Sequence, residues 1–166
     1  MPTLTLYPST VVAGSGFTTT ELAKVLGNTA EYATFYGWGN VGVGESGRFY
    51  FPMTDIPANA IISSVTANVI VWSNSSYRQA YSVDCYGSVN KLVNNGATMA
   101  TTATAYSFPG FAGASTAAWR DNSIEWTFNT NALASGNVYV YWQKFWIDVV
   151  YTQPASGNSL FLGNNY

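Results

Sequence analysis

Covalent chemistry has few residues to work with in this chain. It has no histidine in 166 residues, which removes the Ser-His-Asp and Cys-His nucleophile arrangements and the usual zinc sites. Hydrolysis by two carboxylates needs no histidine. The acids are Glu21, Glu31, Glu45, Asp55, Asp84, Asp121, Glu125 and Asp148; they fit caps, turns and solvent-facing strand positions, and spacing singles out no pair. Asp121-Asn122 offers oxygen ligands of the kind calcium takes, but without the ligand spacing of a calcium loop, so a turn is the better reading. Two overlapping G-x-G-x-x-G patterns start at Gly37 and Gly42. A dinucleotide fingerprint needs a strand feeding a helix, whereas this loop feeds a strand at Phe49, so a glycine-rich turn or bulge is expected. Cys85 is the only cysteine; it sits on the apolar parity of Tyr81-Ser-Val83-Asp-Cys85 and reads as a small buried side chain. Catalysis, a bound metal and a cofactor are therefore not expected.

Recognition through aromatic rings is the chemistry the sequence does offer. Aromatic residues make up 16% of the chain and charged residues only 8%, against roughly 25% charged in an average protein. Trp38, Tyr106, Phe108, Phe111 and Trp119 are candidates for stacking sugars or meeting a second subunit. The competing reading of Tyr106, Phe108, Phe111 and Trp119 is that they cover the core beneath a long loop. Leu160, Phe161 and Leu162, in an apolar tail with nothing local to pair with, are expected to dock on the domain or on a neighbour. A net charge of −2 without a basic cluster argues against nucleic acid as a partner. The first residues, MPTLTLYPST, have no basic start and no long apolar run, so neither a signal peptide nor membrane insertion is expected. The sequon at Asn74 is then accidental.

The elements that would position these residues read mostly as strands. Phe49, Phe51 and Met53 alternate with polar or surface positions, as do Val65, Ala67, Val69 and Val71, and Asp55 to Ala60 forms the turn between the two runs. Leu4–Val12 reads as one edge strand, in which Pro8 is tolerated. Thr18 and Glu21 form a capping box with Phe17 and Leu22 as a hydrophobic staple, and Gly27 closes a helix of two turns. Further strands are expected over Ala30–Tyr36, Tyr81–Val89 and Ile124–Phe128. Asn94-Asn95-Gly96 is a hairpin-type turn signal, and Ala97–Ala118 reads as a long loop or two short edge strands. Val138–Thr152 is apolar on both parities, so either a bulge near Gln143-Lys144 or a strand covered on both faces is required. About eight strands and one short helix predict an all-β, antiparallel sandwich of jelly-roll type. Residues 1–153 would form the domain and 154–166 the tail.

The run Phe51-Pro-Met-Thr-Asp-Ile56-Pro57-Ala-Asn-Ala60-Ile-Ile62-Ser-Ser-Val65 resembles an element repeated in jelly-roll modules. It occurs in bacteriophage virion structural proteins and in the DNRLRE-type domains of secreted cell-surface and carbohydrate-active proteins. Gly136 to Tyr141, followed by Phe145, Ile147, Val149, Tyr151 and Thr152, is similar to the closing strands of the phage forms. The resemblance implies a non-enzymatic virion structural protein, either a head decoration or fibre subunit or a tail or baseplate component. Its partners would be further copies of itself, in a homo-oligomer, together with capsid or tail proteins and, in some settings, a host surface glycan. It would be assembled in the host cytoplasm and reside in the virion. The alternative is an extracellular carbohydrate-binding module or adhesin.

Overall fold

The computed structural model describes residues 1–14, 16–26, 30–39, 46–111, 113–133 and 136–154. In chain order the elements are β1 (Thr3–Leu6), β2 (Thr10–Val12), α1 (Thr19–Ala23), β3 (Ala33–Gly39), β4 (Ser46–Tyr50), β5 (Ile61–Ser73), β6 (Arg78–Tyr86), β7 (Lys91–Thr98), β8 (Thr104–Pro109), α2 (Thr116–Trp119), β9 (Glu125–Ala132) and β10 (Gly136–Thr152). The front sheet has the order β3-β10-β5-β8, and β1 pairs with β10 on the same side as β3 but further along it. The back sheet has the order β2-β4-β9-β6-β7. All of these pairings are antiparallel. From β3 onward the chain visits front, back, front, back, back, front, back and front, which is the strand path of a jelly roll.

Two parts of the sequence reading are corrected by this topology. Leu4–Val12 is not one strand: it breaks around buried Pro8, with β1 on the front sheet and β2 on the back sheet. Proline cannot donate to a ladder, and the chain uses that position to cross the sandwich. The alternating runs on either side of Asp55 likewise belong to opposite sheets, so the turn expected between them is an arch that carries the chain from one sheet to the other. A 3-10 turn at Met53–Asp55 starts the arch, and Ala60 N–H donates to the Pro57 carbonyl at 3.0 Å to close it.

Asn94-Asn95-Gly96 is also not a turn between strands, because β7 runs straight through it. The register with β6 slips here, from Ala80↔Ala97 to Ser82↔Asn94, and Gly96 takes φ +65°. A left-handed glycine at a register slip is what a bulge requires. The β6–β7 connection instead uses Gly87 at φ +129°, whose N–H donates to Asn90 Oδ1 at 3.3 Å. Within Ala97–Ala118 the two-edge-strand alternative holds: the end of β7 and all of β8 lie at sheet edges. A second helix, α2, follows, with Ser115 Oγ accepting from Ala118 N–H at 3.2 Å.

The bulge expected near Gln143-Lys144 is present: Trp142 pairs with Val71 and Lys144 with Ile70, leaving Gln143 as the extra residue. It lets Val138, Val140 and Trp142 share the inner face with Phe145, Ile147 and Val149, all buried. Trp142 is the central joint of the core. Its ring meets Phe17 at 5.7 Å, Phe49 at 5.1 Å, Phe128 at 4.7 Å and Phe145 at 6.0 Å between centroids, and so ties the two sheets together. Gly47 in β4 leaves room for that indole, since a Cβ there would collide with Trp142 and Leu22.

Helix α1 is anchored at both ends. Thr18 Oγ1 accepts from Glu21 N–H at 3.2 Å. The Glu21 carboxylate does not return to Thr18, as a full capping box would have it. It accepts instead from Lys24 Nζ at 2.7 Å and from Thr34 N–H at 2.8 Å, tying the helix to β3. These bonds hold Glu21 below the usual carboxylate range, with Lys24 the larger cause. Gly27 lies outside the described residues.

Candidate functional site: an aromatic face on the front sheet

Most of the aromatic residues singled out in the sequence belong to the core. Phe108, Phe111 and Trp119 are fully buried and Tyr106 is nearly so. Phe108 packs on Phe128 at 6.1 Å, while Phe111 and Trp119 pack on Trp126 at 5.1 and 5.9 Å. The Tyr106 hydroxyl accepts from Ala100 N–H at 2.7 Å and donates to the Thr98 carbonyl at 3.2 Å, bridging β8 to the end of β7. A ring with no open face cannot stack on a sugar or meet another subunit, so these four residues close the sandwich and are not a contact surface. Trp38 lies in the backbone of β3, and its side chain is outside the described set. Leu160, Phe161 and Leu162 also fall outside the described residues.

A different group of rings, three exposed and two half-buried, gathers on the outer side of the front sheet. Residues on β10 that alternate with the buried valines point outward, and the register places Tyr141 opposite Trp72 of β5 and Tyr139 opposite Tyr36 of β3. Trp72 and Tyr141 lie 5.2 Å apart with planes at 19°, Tyr139 and Tyr141 6.1 Å apart at 17°, and Tyr36 and Tyr139 4.7 Å apart at 41°. Tyr32, just before β3, stands across the top of this row, 5.4 Å from Trp72 and 5.8 Å from Tyr141 at steep angles. Tyr32, Tyr36 and Tyr139 remain 45%, 49% and 40% exposed.

Cross-strand aromatic pairs of this kind contribute about 0.5–1.5 kcal/mol each. The inner rings, Trp72 and Tyr141, stack on one another. The result is a rigid, amphipathic strip that is ordered before any partner arrives. Tyrosine suits such a surface because it offers a large contact area with few torsions to freeze.

The strip is bordered by polar groups. Beside Tyr32 lies an open cleft of about 420 Å³ lined by Lys24, Glu31, Tyr32 and Thr34. Further along the same face Asp148 accepts from Thr5 Oγ1 at 2.7 Å, Asn68 Nδ2 at 3.0 Å and Trp146 Nε1 at 3.2 Å. Ser107 Oγ donates to Asn68 Oδ1 at 2.7 Å, extending that network to β8.

The outer face of the back sheet brings two acids near each other. Asp84 is opposite Thr127 and Glu125 opposite Tyr86, so the acids are diagonal neighbours across β6 and β9. Glu125 accepts from Tyr50 at 3.2 Å and pairs with Arg48 at 3.5 Å. Asp84 Oδ2 accepts from Asn129 Nδ2 at 2.9 Å and from Tyr86 at 3.4 Å, while burial raises its pKa. Each acid is thus engaged by side chains of its own sheet. Asp121 and Asn122 are engaged as turn formers: Asp121 accepts from Ser88 Oγ and from Ser123 N–H, and Asn122 Oδ1 accepts from Thr54 N–H. No group of three or more acids or cysteines placed to hold a metal occurs among the described residues.

No protein-family model matches the chain, and no curated protein is recognisably similar to it in sequence. The functional reading rests on the fold and on this face.

Proposed function

We propose that the chain is a non-enzymatic structural protein of a bacteriophage virion, a head decoration or fibre subunit or a tail or baseplate component, acting through protein assembly. The observation that carries the proposal is the aromatic strip of Tyr32, Tyr36, Trp72, Tyr139 and Tyr141. Tyr32, Tyr36 and Tyr139 are exposed and Trp72 and Tyr141 half-buried between them, on a sandwich whose own core is already filled by other rings. Exposed tyrosine and tryptophan gathered on one rigid face mark a contact surface. At the other end of the front sheet, where β10 leaves at Thr152 opposite Ile61, Met1 and Ile61 are 81% and 60% exposed. The low charge and the jelly-roll motifs support the same reading.

Quantitative mass spectrometry of purified particles from the source, measured against the major capsid protein, tests the proposal. A copy number approaching that of the capsid protein places the chain on the head, and a small fixed number places it in the tail or baseplate. Absence from the particle refutes the virion role and leaves an extracellular carbohydrate-binding module or adhesin. That second reading is favoured by one observation, the polar cleft beside Tyr32.

A further inference from the structure

We propose that the cleft beside Tyr32 is a saccharide-binding site, holding one pyranose ring of a glycan against the Tyr32 ring with Glu31, Thr34 and Lys24 as its polar surround. This does not depend on the virion reading, since the site would serve a particle protein or a secreted module alike.

The choice of ligand follows from the lining. The cleft is shallow and wide open, with room of about 420 Å³, so it would hold a flat ring against one wall and would not enclose a ligand. Among the described residues its lining holds one aromatic ring, two hydroxyls, those of Tyr32 and Thr34, one carboxylate and one ammonium, which already pairs with Glu21. A lipid would need broader apolar walls. A phosphorylated ligand is disfavoured because Lys24, the cation of the described lining, already pairs with Glu21 at 2.7 Å. A sugar has apolar C–H faces that suit a tyrosine ring and a rim of hydroxyls that both donate and accept, and this mixed lining satisfies each of those needs.

The site is also preorganised. Tyr32 is braced by the edge-on contacts with Trp72 and Tyr141 while 45% of its surface stays open. Glu21 fixes two sides at once, accepting from Lys24 Nζ and from the backbone N–H of Thr34. Thr34 lies opposite Tyr141 in the ladder, so the cleft continues into the aromatic strip. A glycan longer than one ring would reach the exposed Tyr36 and Tyr139 across the edges of the stacked Trp72 and Tyr141. Ordering these groups before binding lowers the entropic cost of holding the sugar.

Affinity electrophoresis through gels containing soluble β-glucan, galactomannan, dextran or bacterial O-polysaccharide tests this, with sedimentation to follow self-association. At least one polysaccharide should retard the wild-type chain. Tyr32→Ala should weaken that retardation about tenfold or more, a loss of about 1.4 kcal/mol. Tyr32→Phe should keep most of it because the ring remains, Glu31→Gln should weaken it, and Tyr86→Ala on the back sheet should leave it unchanged. Thermal melts establish that each variant is folded. Three results overturn the proposal: no retardation by any of the four polymers, retardation that survives both Tyr32→Ala and Glu31→Gln, or a self-associating wild type that Tyr32→Ala dissociates without any glycan bound. The last would assign the face to a second copy of the chain.

Discussion

Gln143 is the one residue of β10 that the sheet should be able to lose. It is the extra residue of the bulge, and its deletion makes the pairing of Trp142 with Val71 and Lys144 with Ile70 continuous. Val138, Val140 and Trp142 would stay on the inner face with Phe145, Ile147 and Val149, because alternation then runs unbroken through the joint. What is lost is local: the bond from Trp142 Nε1 to the Lys144 carbonyl at 3.0 Å and the bond from Gln143 Nε2 to the Ala30 carbonyl at 3.2 Å. At about 0.5–1.5 kcal/mol each, the cost is about 1–3 kcal/mol. Deleting Tyr141 instead, two residues away, turns Val138 and Val140 outward and Tyr139 inward. Exposing two valines costs about 3–6 kcal/mol before the burial of a phenol is added, which is comparable with a whole stability of about 5–15 kcal/mol. Urea unfolding followed by tryptophan fluorescence separates the two. With a slope of roughly 1–3 kcal/mol per M, the Gln143 deletion should lower the midpoint by about 1 M, whereas the Tyr141 deletion should abolish the transition. A Gln143 deletion that fails to fold, or that costs as much as the Tyr141 deletion, would refute the bulge as the device that sets the facing of β10.

Two further outcomes are expected. Burial raises the pKa of Asp84, so the folded state binds its proton more readily than the unfolded chain. Its contribution to stability is then present at low pH and is lost as pH rises through the folded-state pKa. Asp84→Asn should raise the melting temperature at neutral pH and lose that advantage at acid pH; a lower melting temperature at neutral pH would mean that the bonds from Asn129 and Tyr86 outweigh desolvation. Cys85 is buried and its thiol is pushed up to about 11, burial being the main cause. It should resist a disulfide-exchange reagent at neutral pH until urea unfolds the chain, and full-rate labelling of the folded protein would contradict its placement in the core.

The strands were legible wherever one side of the pattern was decided by burial. Ile124, Trp126 and Phe128 alternate into the core, and the double-parity apolar run of β10 required a bulge at the place where one is found. Connectivity was less legible, because alternation says which residues face inward but not which sheet a strand joins. Hence the turn read between the runs flanking Asp55 did not reveal that they lie in opposite sheets, and Leu4–Val12 read as a single strand although Pro8 marked the break. The Asn-Asn-Gly signal was a sound indication of a positive φ at Gly96, but a bulge uses that conformation as readily as a turn does. The candidate site was the least visible part. Tyr106, Phe108, Phe111 and Trp119 attracted attention because no periodic pattern explained them locally, yet long-range packing buries all four. Tyr36, Trp72, Tyr139 and Tyr141 come together only through cross-strand register. The one local sign was the outward parity of Tyr139 and Tyr141 between buried valines.

The order of pairing in the front sheet also constrains how the chain can fold as it is synthesised. Three strands, β1, β3 and β5, find their ladder partner in β10, the last strand of the described chain to leave a ribosome. Until it emerges, β5 has a full open edge and an apolar face, paired only by β8 on its other side. Such long-range closure makes folding slow and leaves strand edges open to pairing with the wrong chain. The nascent chain would therefore be most prone to aggregate before β10 emerges, and a chaperone that shields β5 over that interval would raise the yield of folded protein more than one acting after β10 has paired.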